Sequence, residues 1–219
     1  MTVLSCPPAV ALLRRLVLLA QAVSAPAVTG AIAPSGRALT RALGAPVAER
    51  AGADLRVLEV GAGSGPVTRA LLGLLTPGSQ LDVVEANGAF IPGLTDLARA
   101  ASTPTTVQHA RIQDAVLDPG HDVIVSALPF ANFALADVQA IVDRYRQHTG
   151  PGGVITWFGY RASRAARALT AGPAEAARHR AVHAHLAGYG GSSTTVWANL
   201  PPARATRLRP HGTSPRATD

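Results

Sequence analysis

The sequence contains no lysine: all 20 of its basic residues are arginine. Its single cysteine excludes a disulfide framework and any cysteine-rich zinc module. Aromatic residues are scarce at 4%, so aliphatic side chains must fill the core. Charged residues amount to 15% against 47% apolar, a balance that excludes global disorder. A long apolar run is also missing. Residues 16–36 carry no charge, yet Gln21, Ser24, Pro26, Thr29, Gly30 and Pro34 interrupt them. A membrane-spanning helix needs about 20 predominantly apolar residues, so this stretch argues against one. No internal repeat is present. At 219 residues the chain has room for one ordinary domain with a short extension at either end.

The charge that is present is unevenly placed. Residues 1–56 hold six arginines and two acids, residues 57–160 five arginines and nine acids, residues 161–219 nine arginines and two acids. An acidic middle therefore lies between two basic ends. Basic ends suggest a polyanionic partner, either nucleic acid or an anionic membrane surface. Solubility and a compositional bias toward Arg and Ala account for the same pattern.

Near the N-terminus, Leu12, Leu13, Leu16, Leu19, Ala20 and Val23 fall on one helical face, with Arg14, Arg15 and Gln21 mostly opposite. This is an amphipathic helix of the kind that lies in a membrane interface. A helix packed on its own domain, or a secretory signal cleaved near "VSAPA", fits the same residues. The next helix is expected from Ser35 as cap through "GRALTRALGAPVAERAG", with a break at Gly44–Pro46.

From residue 55 the pattern alternates. Apolar runs "LRVLEV", "QLDVVEA", "TTVQHA" and "HDVIVSALP" read as strands. Helices are expected at "PVTRALLGLLT", at "AFIPGLTDLARAAS" (delayed or kinked by Pro92–Gly93) and at "ALADVQAIVDRYRQHT". A turn at Gly150–Gly153 precedes strand "VITWFGY". Helix "PAEAARHRAVHAHLAGYG" and strands from "TTVWANL" and "RATRLRP" complete the chain. The expectation is an α/β Rossmann-like fold: a mostly parallel, seven-stranded sheet with helices on both faces. The expected domain runs from 34 to 210, with the N-terminal helix and linker at 1–33 and a frayed tail at 211–219.

The most informative stretch is "VLEVGAGSG". A strand runs into Gly61, Gly63 and Gly65, which let the backbone turn sharply and approach a ligand closely. Glu85 ends the next strand, 20 residues beyond Gly65, where a carboxylate accepts both hydroxyls of a ribose. Asp114 follows the third strand. A hydride-carrying dinucleotide site is one reading. Against it stand Glu59 just before the glycines and the spacing G-x-G-x-G.

That pattern resembles the Rossmann-like class of S-adenosylmethionine-dependent methyltransferases, whose sulfonium ligand has no pyrophosphate to cradle. The resemblance implies that Glu59, Gly61, Gly63 and Gly65 line the methionine side, that Glu85 takes the ribose, and that Asp114 with Ala115 lies at the adenine. Further stretches resemble the bacterial phospholipid N-methyltransferases, with ornithine-lipid methyltransferases similar. They are "GAIAPSGRAL" at 30–39, "VLEVGAGSGPVTRALL" at 57–72, "VVEAN" at 83–87, "DVIVSALPFANF" at 122–133, "PGGVITWFGY" at 151–160 and "VWANLPPAR" at 196–204. Ala127 stands where that family usually has glycine, "HARIQ" matches loosely, and Trp157 and Phe158 are departures.

The implied substrate is the amine headgroup of an aminophospholipid, phosphatidylethanolamine or a relative. The implied cofactor is S-adenosylmethionine, with no metal. The implied place is cytoplasmic, peripheral on the inner face of the cell membrane, with an anionic surface as partner. The amine must lose a proton, for which Tyr160, Ser126 through water and His109 are candidates. Phe130 and Tyr160 are the aromatics placed by the motifs to face a methylated cation, with Phe133, Trp157 and Trp197 as extensions. Phosphate recognition falls to Arg37, Arg161 and Arg204. The nucleic-acid alternative is a ribosomal RNA adenine dimethyltransferase. Those enzymes carry an Asn-Leu-Pro-aromatic box where this chain has Ser126-Ala127-Leu128-Pro129-Phe130.

Overall fold

The computed structural model describes residues 36–160, 172–199 and 202–210. The expected helix at 9–23, Ser35, Arg161 and the tail at 211–219 lie outside the described residues.

Helix α1 spans Arg37–Ala48. Leu39, Leu43 and Val47 recur every fourth residue, so they share one face, and all are buried. The break expected at Gly44–Pro46 does not occur. Pro46 has no amide to donate, but it is itself buried. Gly44 presents its bare backbone to Leu71 and Leu74, and this packing holds the helix continuous. Strand β1 (Arg56–Val60) follows, then α2 (Pro66–Leu72), β2 (Gln80–Glu85) and α3 (Ile91–Ala100). Helix α2 is shorter than expected and stops at Gly73. Helix α3 begins after a 3-10 turn at Gly88–Phe90, with a proline in its first turn, where no amide is needed.

Strands β3 (Thr105–His109) and β4 (His121–Ser126) come next, then α4 (Leu135–His148) and β5 (Thr149–Tyr160). Helix α5 (Pro173–Gly188) leads to β6 (Ser192–Val196) and β7 (Ala203–Leu208). The turn expected at Gly150–Gly153 is instead an irregularity inside β5. Its pairing with β4 jumps from His121↔Thr149 to Val123↔Val154.

The seven strands form one sheet in the order β3-β2-β1-β4-β5-β7-β6. The first five are mutually parallel, and β7 runs antiparallel to both β5 and β6. This is the mostly parallel seven-stranded sheet that the alternation predicted. Val57, Val83, Val123 and Val125 pack on Leu39, Leu71 and Leu94 of α1, α2 and α3. Leu58, Val84, Ile124 and Ile155 pack on Val138, Ile141 and Val182 of α4 and α5. With both faces covered, the central strands are apolar throughout rather than alternating. The order of succession reverses beside β1, between β2 on one side and β4 on the other. That is where an open parallel sheet leaves a crevice at its carboxyl ends.

Candidate active site

Backbone hydrogen bonds continue the ladder past the strand ends. Gly61 N–H donates to the Val84 carbonyl at 2.8 Å, Ala127 N–H to Val60 at 2.8 Å, and Ala110 N–H to Glu85 at 3.1 Å. The loops after β1, β2, β3 and β4 are thereby laid side by side.

The loop after β1 turns through three left-handed glycines, with φ of 78° at Gly61, 54° at Gly63 and 81° at Gly65. Among the described residues only glycines adopt positive φ. At Gly61 a Cβ would lie 2.6 Å from Leu128 Cδ2, so the bare backbone also lets the β4 loop close in. At Gly63 a Cβ would meet nothing within 4 Å, leaving open space beside the turn.

Glu85 ties this turn to the next loop. Its Oε2 accepts the Gly63 N–H at 2.8 Å and its Oε1 accepts the Asn87 N–H at 2.7 Å. Each oxygen retains a further lone pair for a ligand. Glu59 is fully buried beneath the turn, and neither carboxyl oxygen has a hydrogen-bond partner. Burial pushes its pKa up to about 7. The Thr68 hydroxyl and amide pull it down without closing a hydrogen bond, and the nearby Glu85 charge adds to the rise.

A cavity of about 260 Å³ lies over the carboxyl ends of β1, β2 and β4. Gly61, Gly63 and Glu85 line it, as expected from the sequence. Glu59 and Gly65 sit below the lining. Asp114 is exposed and outside it, and Ala115 is buried on the α4 side, its carbonyl accepting from Arg144 Nη2 at 2.8 Å. A tight turn, with Asp114 N–H on the Arg111 carbonyl, swings Asp114 outward. Ile112 and Gln113 form that wall instead, two residues and one residue before Asp114. Asn87 was also missed by sequence reading, although it closes the "VVEAN" stretch.

The candidate proton acceptors separate. Tyr160 is half-buried on the cavity wall, stacked edge-on to Phe158 at 5.3 Å, and burial raises its pKa. The Ser126 hydroxyl is buried and accepts the Tyr145 hydroxyl at 2.9 Å, so it is committed to the core. His109 is exposed at the end of β3, its Nε2 3.2 Å from the Ala86 carbonyl. Phe130 is buried against the α4–α5 layer, and Phe133, edge-on to it at 6.4 Å, reaches the cavity. Trp157 is buried, whereas Trp197 is 70% exposed. Arg37 begins α1 outside this cavity, and Arg204 lines a second one. That second cleft, about 430 Å³, lies between α5 and the β5–β7–β6 edge of the sheet. Phe158 and Tyr160 line both spaces.

No family model matches the chain. A 60-residue stretch, 27% of this chain, is 45% identical to mitochondrial dimethyladenosine transferase 1 of Caenorhabditis elegans; it spans only 15% of that protein. The N-methyltransferase NodS of Bradyrhizobium japonicum WM9, also solved with S-adenosyl-L-homocysteine, superposes with a TM-score of 0.60 at 17% identity. The match covers 79% of this chain and 94% of the NodS chain in the structure without that ligand. A putative O-methyltransferase of Klebsiella pneumoniae gives 0.58 at 15% identity, over 94% of this chain and 92% of that one. The architecture is therefore the Rossmann-like fold of S-adenosylmethionine-dependent methyltransferases.

Proposed function

We propose that the chain is an S-adenosylmethionine-dependent N-methyltransferase acting on the amine headgroup of a membrane aminolipid, with phosphatidylethanolamine as the type substrate. The observation that carries this reading is the wall of Phe158 and Tyr160 common to two spaces, which suits transfer of a group from one bound molecule to another. The residues fit the donor. Glu85 has acceptor capacity left for a ribose diol. Gly63 leaves room for close approach. The unpartnered carboxyl of Glu59 suits a cationic neighbour.

When bound, the donor would supply an electrophilic methyl: the headgroup ammonium would first give a proton to water, and its freed lone pair would take the methyl as the C–S bond breaks, the electron pair staying on sulfur. The protein's part is alignment and exclusion of solvent. Glu85 and the glycine turn would hold the donor at the floor. The Tyr160 ring would face the amine, where a quadrupole attracts the developing cation. Ser126 contributes by seating Tyr145 rather than by taking the proton.

The same fold supports an adenine dimethyltransferase acting on RNA, and the Caenorhabditis elegans match favours that second reading. Against it, Ser126 stands where such enzymes place the asparagine that holds the base, and its hydroxyl is engaged in the core. Labelled S-adenosylmethionine, offered separately to aminolipid vesicles and to deproteinised ribosomal RNA, separates the two. Label in lipid alone supports the proposal; label in RNA alone, or in neither, overturns it.

A further inference from the structure

Strands β5 and β6 are parallel across the antiparallel β7, so α5 must run from the carboxyl end of β5 back to the amino end of β6. Its residues therefore descend along the sheet. His179 and His183 come first, near Tyr160; Leu186 and Ala187 come last, near Gly190 and Gly191. On the sheet side, Arg204 pairs with Gly159, one residue from Tyr160, while Thr206 pairs with Trp157 two residues deeper.

The two ends of the cleft differ in chemistry. The end shared with the donor cavity carries Arg204, His179 and His183, with Tyr160 at its rim. The far end carries Trp157, Leu186, Ala187 and two glycines, with the Ser193 and Thr206 hydroxyls, 3.1 Å apart, beside them. Two features keep the space open. Gly159 lies where a Cβ would meet nothing within 4 Å, and the same holds at Gly190. Trp157 and Val182 line its floor while almost fully covered by their protein neighbours.

We propose that this cleft binds a single-chain or double-chain amphiphile, its anionic group at Arg204 and one hydrocarbon chain running between α5 and the sheet toward Gly190–Gly191. The inference rests on the methyl-transfer reading only for direction, since that reading places the amine at Tyr160. A guanidinium is permanently charged and matches a phosphodiester bidentately. A slot of this size, apolar along Trp157, Val182 and Leu186, accepts part of an acyl chain, and each methylene withdrawn from water adds to affinity.

The test uses the chain's two tryptophans, Trp157 in the cleft and Trp197 largely exposed. In a Trp197→Phe background, the probe is lysophosphatidylcholine with a brominated acyl chain, kept below its micelle-forming concentration. Saturable quenching of Trp157 fluorescence is expected. Gly159→Leu, whose Cβ would meet nothing within 4 Å, should fill the open space and weaken it about tenfold or more. Arg204→Ala should weaken it several-fold and make it less sensitive to salt. Binding of S-adenosylhomocysteine, followed by calorimetry, should stay within about twofold in both, since neither side chain reaches the donor cavity. Leu186→Phe narrows the cleft from the helix side and serves if Gly159→Leu does not fold.

Absence of saturable quenching, or quenching unchanged by every cleft-filling variant, overturns the proposal. Methyl transfer to lysophosphatidylethanolamine is measured in parallel. Quenching without transfer leaves the cleft and removes the aminolipid reading. Transfer without quenching removes the cleft and leaves that reading.

Discussion

The side-chain oxygen of Asn199 accepts the backbone N–H of Gly36 at 3.1 Å, across 163 residues of chain. Asn199 is buried, and a Cβ on Gly36 would come within 2.8 Å of that oxygen. Two sequence stretches that stand out for different reasons, "GAIAPSGRAL" and "VWANLPPAR", thus meet at the start of α1. The helix has no capping side chain of its own there, so Asn199 supplies one from the far end of the domain. Asn199→Ala should cost about 1 kcal/mol, as loss of a helix cap does. That corresponds to a fall in Tm of roughly 2–4 °C, read by thermal unfolding. Asn199→Asp, which keeps the acceptor, should recover most of it.

Glu85 carries both Gly63 and Asn87 on its two oxygens. Glu85→Ala should raise the dissociation constant for S-adenosylhomocysteine by at least about tenfold, since hydrogen bonds to a carboxylate are among the stronger ones. Glu85→Gln should fall between, because one of its ends becomes a donor facing an N–H. Calorimetry measures both. Equal affinity in all three proteins would remove Glu85 from the site.

Glu59 makes stability depend on pH. Its pKa, about 7 in the folded protein, lies above the ordinary value of 4.5. Below the ordinary value the carboxyl is protonated in both states and costs nothing. As pH rises from there, the unfolded chain releases the proton while the folded chain retains it, so stability falls. The loss is complete above about 7 and on the order of 3 kcal/mol. Glu59→Gln should therefore match the wild type near pH 4.5 and exceed it in Tm at pH 8. An equal difference at both pH values would refute this.

Ser126 and Tyr145 form a buried pair. Ser126→Ala leaves the Tyr145 hydroxyl unsatisfied and should cost about 1–3 kcal/mol; adding Tyr145→Phe should restore much of it. Denaturant unfolding of the four proteins closes the cycle. Methyl transfer in the double variant is expected to survive. Its complete loss, with the fold intact, would return Ser126 to the chemistry.

The adenine-side wall offers a contrast between neighbours. Gln113→Ala should weaken binding of S-adenosylhomocysteine several-fold, and Asp114→Ala should leave it within about twofold, since only the first lines the cavity. The reverse order would show that the loop rearranges when ligand binds.

Much of the frame was legible because it rests on short-range rules. The glycine turn, the strand before it and Glu85 at the end of β2 followed from spacing alone. What failed depended on neighbours distant in sequence. The break at Gly44–Pro46 is overridden by packing on Leu71 and Leu74. Phe130 turns into the α4–α5 core and Phe133 outward, a choice made by which faces α4 and α5 cover. Asp114 and Gln113 differ only by the sense of a turn, which composition does not encode. The second cleft was invisible, since its walls come from β5, α5, β6 and β7, and its openness depends on Gly159 and Gly190 lacking side chains.

The double attachment of Glu85 also bears on how quickly and how cheaply the donor cavity fills. Loops that close around a ligand must surrender freedom when it arrives, and part of the binding energy goes to ordering them. Here the turn after β1 and the loop after β2 are already fastened to one carboxylate, so neither side of the cavity can swing away by itself. A ligand meets a mould rather than a pair of jaws. Entry should then approach the rate set by diffusion and orientation, with differences in affinity among donor analogues residing in how fast they leave.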